Sequence, residues 1–313
     1  MAFIDQMRRA GFAVASTCTV LTTQGCPVAA RTYRAWKQPG RPVAARTISD
    51  AQLVNALRAT RGTPEQLYGR RKMTAYLRRQ GFNVAACTVD RLMRELGING
   101  VVRGKGVRTT LPAKDADRAP DLLKRDLTAL APNRRGIADF TYVRTWAGFA
   151  FVAFVVDGYA QRIMARHAAT TKATALVLTC VRMAIWQRAR EGHPVTTGLV
   201  PHADAGSQYT PLRFTEHLAL EGIAPSIGSV GDALDNALME SMIGLYKTEC
   251  IRPGPFHHGP LRTLGDVESA TMAWVDWYNN RRLHGSLGMI PPVEHEEAYY
   301  RQAATPQPEA QLV

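Results

Sequence analysis

The sequence predicts an α/β domain preceded by an all-helical unit. Three observations lead there. Residues 149–157 read FAFVAFVVD, a nearly continuous apolar, β-prone run of the kind that forms a central strand buried on both faces. Residues 48–100 carry three successive helical periodicities separated by short turns. Charge is divided unevenly: residues 1–135 hold 25 Lys and Arg against 9 Asp and Glu, whereas residues 136–313 hold 14 against 17. A front half with such an excess suits a phosphate-binding arm joined to a second, near-neutral domain.

Taken in order, residues 1–40 form an N-terminal helical segment, with one helix expected near Phe3–Thr17 and a short one around Ala29–Trp36. KQPGRPVAAR, residues 37–46, has two prolines and three basic residues and reads as a linker. In residues 48–100, Ser49 or Asp50 can cap a helix to about Arg61, with Leu53, Val54 and Leu57 as its apolar stripe. A second helix, about Gly69 to Gln80, turns Met73, Tyr76 and Leu77 inward and Arg70, Arg71, Lys72, Arg78 and Arg79 outward, and Gly81 breaks it. A third, about Ala85 to Leu96, buries Val89, Leu92, Met93 and Leu96 and carries Arg91 and Arg94. Two helices across a Gly-containing turn, with a basic outer face, suggest a helix-turn-helix, and Arg70, Arg71, Lys72, Arg91 and Arg94 are its candidate DNA contacts. Residues 101–135 are a basic linker with a short helix near Leu122–Leu130.

From residue 136 the pattern changes. Strands are expected at Ile137–Val143, Phe149–Asp157 and Arg162–His167, with a turn at Arg144–Gly148. A long helix over Lys172–Arg190 follows, then a short strand Leu199–His202, a helix Leu212–Glu221, a strand Ala224–Ile227, a loop SIGSVG and a helix containing Glu240. Three strands, helix, strand, helix, strand, helix is the order of a ribonuclease-H-like fold, here over residues 136–250. Residues 251–300 extend that core with an amphipathic helix bearing Val267, Ala270, Trp274 and Tyr278 on one side, and residues 301–313 read as a disordered tail.

Several classes of function drop out. No apolar run approaches about 18 residues, so a membrane span is not expected, and no secretory signal is seen, which points to the cytoplasm. The five cysteines, Cys18, Cys26, Cys87, Cys180 and Cys250, are scattered without a CxxC and read as small buried or semi-buried thiols rather than a zinc or disulfide framework. His257 and His258 read as loop residues.

Three carboxylates stand apart. Asp139 lies in GIADFTYV, mid-strand, where the backbone is rigid; Asp204 lies in HADAGSQYTP at a strand end; Glu240 lies in DNALMESMIGLYKTE, with 35 residues between it and Asp204, on a helix. At roughly 100° per residue, Leu234, Leu238, Met242 and Leu245 gather on one face of that helix, while Asn236, Glu240 and Lys247 fall on the other. Two strand carboxylates and one helix carboxylate can converge on a pair of divalent cations, the apparatus that cuts and joins phosphodiesters. Mg²⁺ or Mn²⁺ suits such oxygen ligands. Asp157, Glu216, Asp232, Asp235 and Glu249 compete; Asp232 and Asp235 are explained by helix capping. His202, two residues before Asp204, would point to the same side of a strand.

With these residues in view, the chain resembles the second-frame product of insertion-sequence transposases of the IS-three type, relatives of retroviral integrases, over nearly its whole length. YGRRKMTAYLRRQG and CTVDRLMRELGI resemble that family's helix-turn-helix. IADFTYV, HADAGSQY and DNALMESMIGLYKTE resemble its three acidic motifs, and WYNNRRLHGSL followed by Pro291 its C-terminal signature. The resemblance implies an integrase-like catalytic core in which Asp139, Asp204 and Glu240 are the catalytic and metal-binding triad, holding two ions. It makes Lys247 a terminal-DNA contact, with Asn236 beside it. It also implies element inverted repeats and target DNA as partners, a homo-oligomer on DNA in the nucleoid, and fusion or association with an upstream-frame helix-turn-helix product. Ala203 and Ala205 depart from the polar or basic residues often found beside the second aspartate. Two other functions fit parts of the pattern: a DNA-binding regulator using residues 48–100, and a ribonuclease-H-type nuclease that cuts without joining.

Overall fold

The computed structural model describes residues 1–40, 42–102, 129–195, 200–203, 226–227 and 237–304. The chain divides into two compact units, Met1–Asn55 and Ala56–Val313. In the first unit α1 (Ala2–Arg9), α2 (Val14–Thr23) and α3 (Ala30–Trp36) gather around buried Ile4, Cys18 and Tyr33. The single helix expected over Phe3–Thr17 is two: the chain turns at Gly11, whose φ of 90° is a left-handed conformation that glycine adopts without strain. The Tyr33 hydroxyl donates to Asp5 Oδ1 at 2.7 Å and the Lys37 ammonium lies 2.8 Å from the same oxygen.

α4 spans Ala45–Ala59. In the larger unit a 3-10 turn at Pro64–Leu67 is followed by α5 (Arg70–Arg79) and α6 (Ala86–Glu95). Their apolar stripes bury Met73, Leu77, Val89, Leu92 and Met93, as the periodicity requires. Each such side chain contributes about 1.5–3 kcal/mol on burial. Gly81, at φ 90°, ends α5, and the Arg78 guanidinium donates to the Val84 carbonyl across the turn at 3.0 Å. The helix expected near Leu122–Leu130 lies mostly outside the described residues, and Ala129 and Leu130 are not helical.

The sheet has the order β3-β2-β1-β4-β5, with β1 (Arg135–Thr145), β2 (Gly148–Asp157), β3 (Ile163–Ala169), β4 (Val200–Ala203) and β5 (Ser226–Ile227). β1, β2 and β3 pair antiparallel; β4 joins β1 in parallel and β5 joins β4 in parallel. α7 (Thr174–Arg190) covers one face, packing Leu176, Val177, Cys180, Val181 and Ala184 on Ala138, Ala153, Val155 and Ala165. On the opposite face Phe154 meets Tyr246 and Trp274, with ring centroids 5.0 and 6.3 Å away. The β2 run is therefore buried from both sides, which accounts for its unbroken apolar sequence. The helix expected at Leu212–Glu221 lies outside the described residues.

α8 (Ala237–Leu245) continues into a π-helical segment, Tyr246–Ile251, that the periodicity did not suggest. α9 (Leu264–Asn280) starts on a capping box between Thr263 and Asp266 and buries Val267, Ala270, Trp274 and Tyr278, the stripe read from the sequence. α10 (Pro292–Ala304) is a further helix, so residues 301–304 are helical and not part of a disordered tail. Among the described residues no helix is long and apolar enough to cross a membrane. The five cysteines are unbridged, with Cys18, Cys180 and Cys250 buried but Cys26 and Cys87 exposed, so the expectation of buried or semi-buried thiols holds for three of them.

Candidate active site and its supports

β1 places Asp139 mid-strand, half-buried, opposite Phe154 on β2. Directly paired residues share a sheet face, so Asp139 lies on the Phe154 side, away from α7. Its Oδ1 accepts the Phe140 backbone N–H at 2.7 Å. The parallel register of β1 and β4 ends with Ala138 opposite Ala203. The next residue in each strand's sequence is an aspartate, Asp139 and Asp204. Asp204 itself lies outside the described residues, as do Asn236, Glu216, Asp232 and Asp235, and His202 is described by backbone only.

α8 packs on β1. It buries Met239 and Met242 and leaves Glu240 exposed. The segment after it buries Tyr246 against Phe154 and leaves Lys247 exposed, its ammonium 5.2 Å from the centre of the Tyr142 ring on β1. The structure thus packs the helix bearing Glu240 on the strand bearing Asp139, and Lys247 reaches Tyr142 on that same strand. Among the described residues no three His, Cys, Asp or Glu side chains gather closely enough to hold a metal ion.

The two competing carboxylates among the described residues, Asp157 and Glu249, are structural. Asp157 is fully buried and accepts backbone N–H groups from Tyr159, Ala160 and Asn133, which fixes the turn after β2; burial pushes its acidity toward the protonated form. Glu249 is buried in a two-pronged pair with Arg282, at 2.8 and 2.6 Å. Burial opposes the Arg282 charge, but the adjacent Glu249 carboxylate more than offsets this and raises its pKa. His284, beside it, is pushed down to about 2 by burial and by the Arg282 and Lys72 charges, so it is neutral at physiological pH.

The helix-turn-helix candidates do not all face solvent. Arg70, Arg71 and Arg94 are exposed. Asp90 lies 3.6 Å from Arg70 and 2.7 Å from Arg94, and Arg91 pairs with Glu95 at 3.0 Å. Exposed pairs of this kind are worth about 0–1 kcal/mol, so a phosphate can displace them. Lys72, expected to point outward, is instead half-buried over the Tyr68 ring at 5.7 Å, and burial, with Arg282 nearby, pushes its pKa down to about 8.

The C-terminal signature supplies supports whose roles were not read from sequence. Trp277 donates to buried Glu65 at 3.0 Å, and the Tyr68 hydroxyl accepts the Leu283 N–H at 3.0 Å. Asn279 pairs with the Ile163 N–H and carbonyl, both at 2.9 Å, acting as a strand neighbour for the start of β3. One signal was available for Glu249: nine residues past Glu240, at roughly 100° each, it must face the opposite, buried side of a continuous helix.

Residues 49–106 match the HTH-like domain family, and residues 129–233 and 221–292 match two integrase core domain families. A putative transposase for insertion sequence element IS986/IS6110 from Mycobacterium tuberculosis is 47% identical over 90% of this chain and 99% of its own length. The transposase for IS629 from Shigella sonnei is 45% identical over 75% of each chain. A simian T-cell lymphotropic virus intasome structure is similar at 14% identity, with a TM-score of 0.44 over 79% of this chain and 76% of that one; the assignment rests on the sequence relatives. By that identity over nearly its whole length, the chain belongs to the insertion-sequence transposases of the IS-three type, polynucleotidyl transferases with an integrase core.

Proposed function

We propose that the chain nicks the ends of an insertion sequence and joins the freed 3′-hydroxyl to another DNA phosphodiester, with Asp139, Asp204 and Glu240 as its catalytic carboxylates. The observation that carries this reading is the β1–β4 register. It ends one residue short of both aspartates, and the helix that bears Glu240 packs on β1. In the first step a water oxygen bonds to phosphorus and gives up a proton, while the P–O3′ bond breaks with its electron pair going to O3′, which takes up a proton from solvent to become the 3′-hydroxyl. In the second the oxygen of the new 3′-hydroxyl bonds to a target phosphorus as its proton leaves to solvent, and the target strand's P–O3′ bond breaks, its 3′ oxygen taking the electron pair and a proton. The three carboxylates are hard oxygen donors fitted to Mg²⁺ or Mn²⁺, two ions of which would stabilise the attacking and leaving oxygens. Lys247, with Asn236, positions the terminal DNA as a point charge toward phosphate. Arg70, Arg71, Arg91 and Arg94 hold the flanking duplex, while half-buried Lys72 has a lesser part.

The working form is a homo-oligomer on inverted-repeat and target DNA, in the cytoplasm and associated with the nucleoid. It acts in fusion or association with an upstream-frame helix-turn-helix product. The test is a cleavage and strand-transfer assay on labelled element-end DNA with Mg²⁺. Joined products support the reading; nicks without joining point to a nuclease, and binding without either points to a regulator.

A further inference from the structure

The tip of the β1–β2 hairpin exposes three aromatic side chains. Tyr142, Trp146 and Phe149 are 58%, 71% and 54% exposed. Clustered apolar exposure on an otherwise well-buried sheet marks a contact surface. The rings are held in place. Trp146 and Ala147 donate their backbone N–H groups to the carbonyls of Leu261 and Arg262, at 3.2 and 3.0 Å. The Thr145 hydroxyl donates to the Gly148 carbonyl at 2.8 Å, and Gly148, at φ 117°, makes a turn a side chain would strain. Tyr142 and Phe149 meet edge to face at 5.6 Å.

Cations interleave with these rings. The Arg262 guanidinium lies 5.0 Å from the Trp146 ring centre and the Lys247 ammonium 5.2 Å from that of Tyr142. Arg144 is exposed and sits directly opposite Phe149 in the register. The carboxylate beside Arg262, Asp266, is engaged by the Arg262 and Thr263 backbone N–H groups. Aromatic faces that alternate with fixed cations match the bases and phosphates of a nucleic-acid strand. A base offers its face only where it is unpaired, so the fit is to a single strand and not to duplex flank.

We propose that Tyr142, Trp146 and Phe149, with Arg144, Lys247 and Arg262, form a stacking platform for unpaired nucleotides of DNA. Tyr142 is three residues along β1 from Asp139 and is paired with Phe151, so Tyr142, Arg144 and Phe149 lie on the sheet face that α7 covers further along, opposite the face of Asp139. Lys247 continues from the helix that carries Glu240. The platform therefore joins the site through Lys247 alone, and unpaired nucleotides of the DNA that the site acts on are its occupant. That placement rests on the reading of Asp139 and Glu240 given above; the stacking does not.

The test uses the full chain, without divalent metal, titrated with fluorescein-labelled oligothymidylate and with a duplex of equal length. Trp146→Ala combined with Phe149→Ala is expected to weaken oligothymidylate binding at least about tenfold and duplex binding less than about twofold. Trp146→Phe keeps a ring, so it should retain oligothymidylate affinity while losing much of the tryptophan quenching seen with the wild-type chain. Oligothymidylate affinity within about twofold of wild type in the double variant would overturn the platform. So would quenching undiminished in Trp146→Phe, a measurement that stands even if the double variant misfolds. Because no metal is present, these titrations decide the platform whether or not the chain cleaves DNA.

Discussion

Asp139 and Lys72 show how far a residue's setting decides its work. Asp139 is half-buried mid-strand and its neighbours Ala138 and Phe140 pack toward α7, so replacing only its charge disturbs little of the core. Asp139→Asn is therefore expected to fold and bind element-end DNA as wild type does while losing nicking by about a thousandfold or more, as loss of a ligand that stabilises reacting oxygens implies. Nicking at the wild-type rate would remove Asp139 from the site. Lys247→Ala should lower cleavage less than Glu240→Gln and recover with excess DNA, because a point charge toward phosphate aids binding more than chemistry; a defect that no DNA concentration relieves would give Lys247 a catalytic part. Lys72 carries a pH signature. Its pKa falls from 10.5 in the unfolded chain to about 8 in the fold. Below about pH 8 both states hold the proton and the full cost of burying the charge is present. From there to about pH 10.5 the unfolded state binds more protons, so this group's contribution to stability rises with pH. Lys72→Met should accordingly be more stable than wild type near pH 7, with the advantage shrinking by about pH 10. Urea denaturation at the two pH values measures this, and a constant gap would refute it.

At the scale of elements, the segment after Glu240 is anchored by one buried ion pair. Glu249 lies in the π-helical turn and Arg282 in the loop after α9, with Trp274 Nε1 donating to the same carboxylate at 3.4 Å. Removing one partner leaves a buried charge alone, so Arg282→Met should cost about 3–5 kcal/mol. Replacing both Glu249 and Arg282 with Met should cost less than the single change. Equilibrium denaturation of the two singles and the double checks this; additive losses would mean the two groups do not act as a pair. This anchor also marks where the sequence stopped being readable. β2 was legible because burial on both faces leaves an unbroken apolar run, and the α9 stripe because burial on one side imposes a period. The π turn was not, since a single wide turn leaves no period, and α10 was not because its exposed polar residues blur its apolar side. The aspartates and Glu240 were legible as motifs in distinct settings. The Glu249–Arg282 and Glu65–Trp277 contacts were not, because side chains 33 and 212 positions apart meet only in three dimensions.

For the whole molecule, the basic front half and the packing of the larger unit constrain any test of DNA affinity. Deleting residues 1–135 looks like the direct way to ask whether that half supplies the affinity. It would also strip Glu65 and Tyr68 from Trp277 and Leu283, exposing a tryptophan that is fully buried and a backbone N–H that is satisfied only by the Tyr68 hydroxyl among the contacts described. A truncated chain would lose stability and binding together, and the two losses could not be separated. Charge removal at the surface avoids this. Arg70, Arg71 and Arg94 are exposed, and the surface pairs two of them make with Asp90 are weak enough to lose without unfolding. Counterion release ties the salt dependence to the number of phosphates neutralised, with a slope of about 0.9 in log affinity per log salt for each contact on duplex DNA. Changing all three to Gln should therefore weaken duplex binding at low salt and flatten the slope by about 0.9 for each arginine that touches a phosphate, while the thermal midpoint stays near wild type. Anisotropy titrations of labelled element-end duplex across a range of salt concentrations read both quantities. A slope equal to that of the wild-type chain would place the phosphate contacts elsewhere, on the remaining basic residues of the front half.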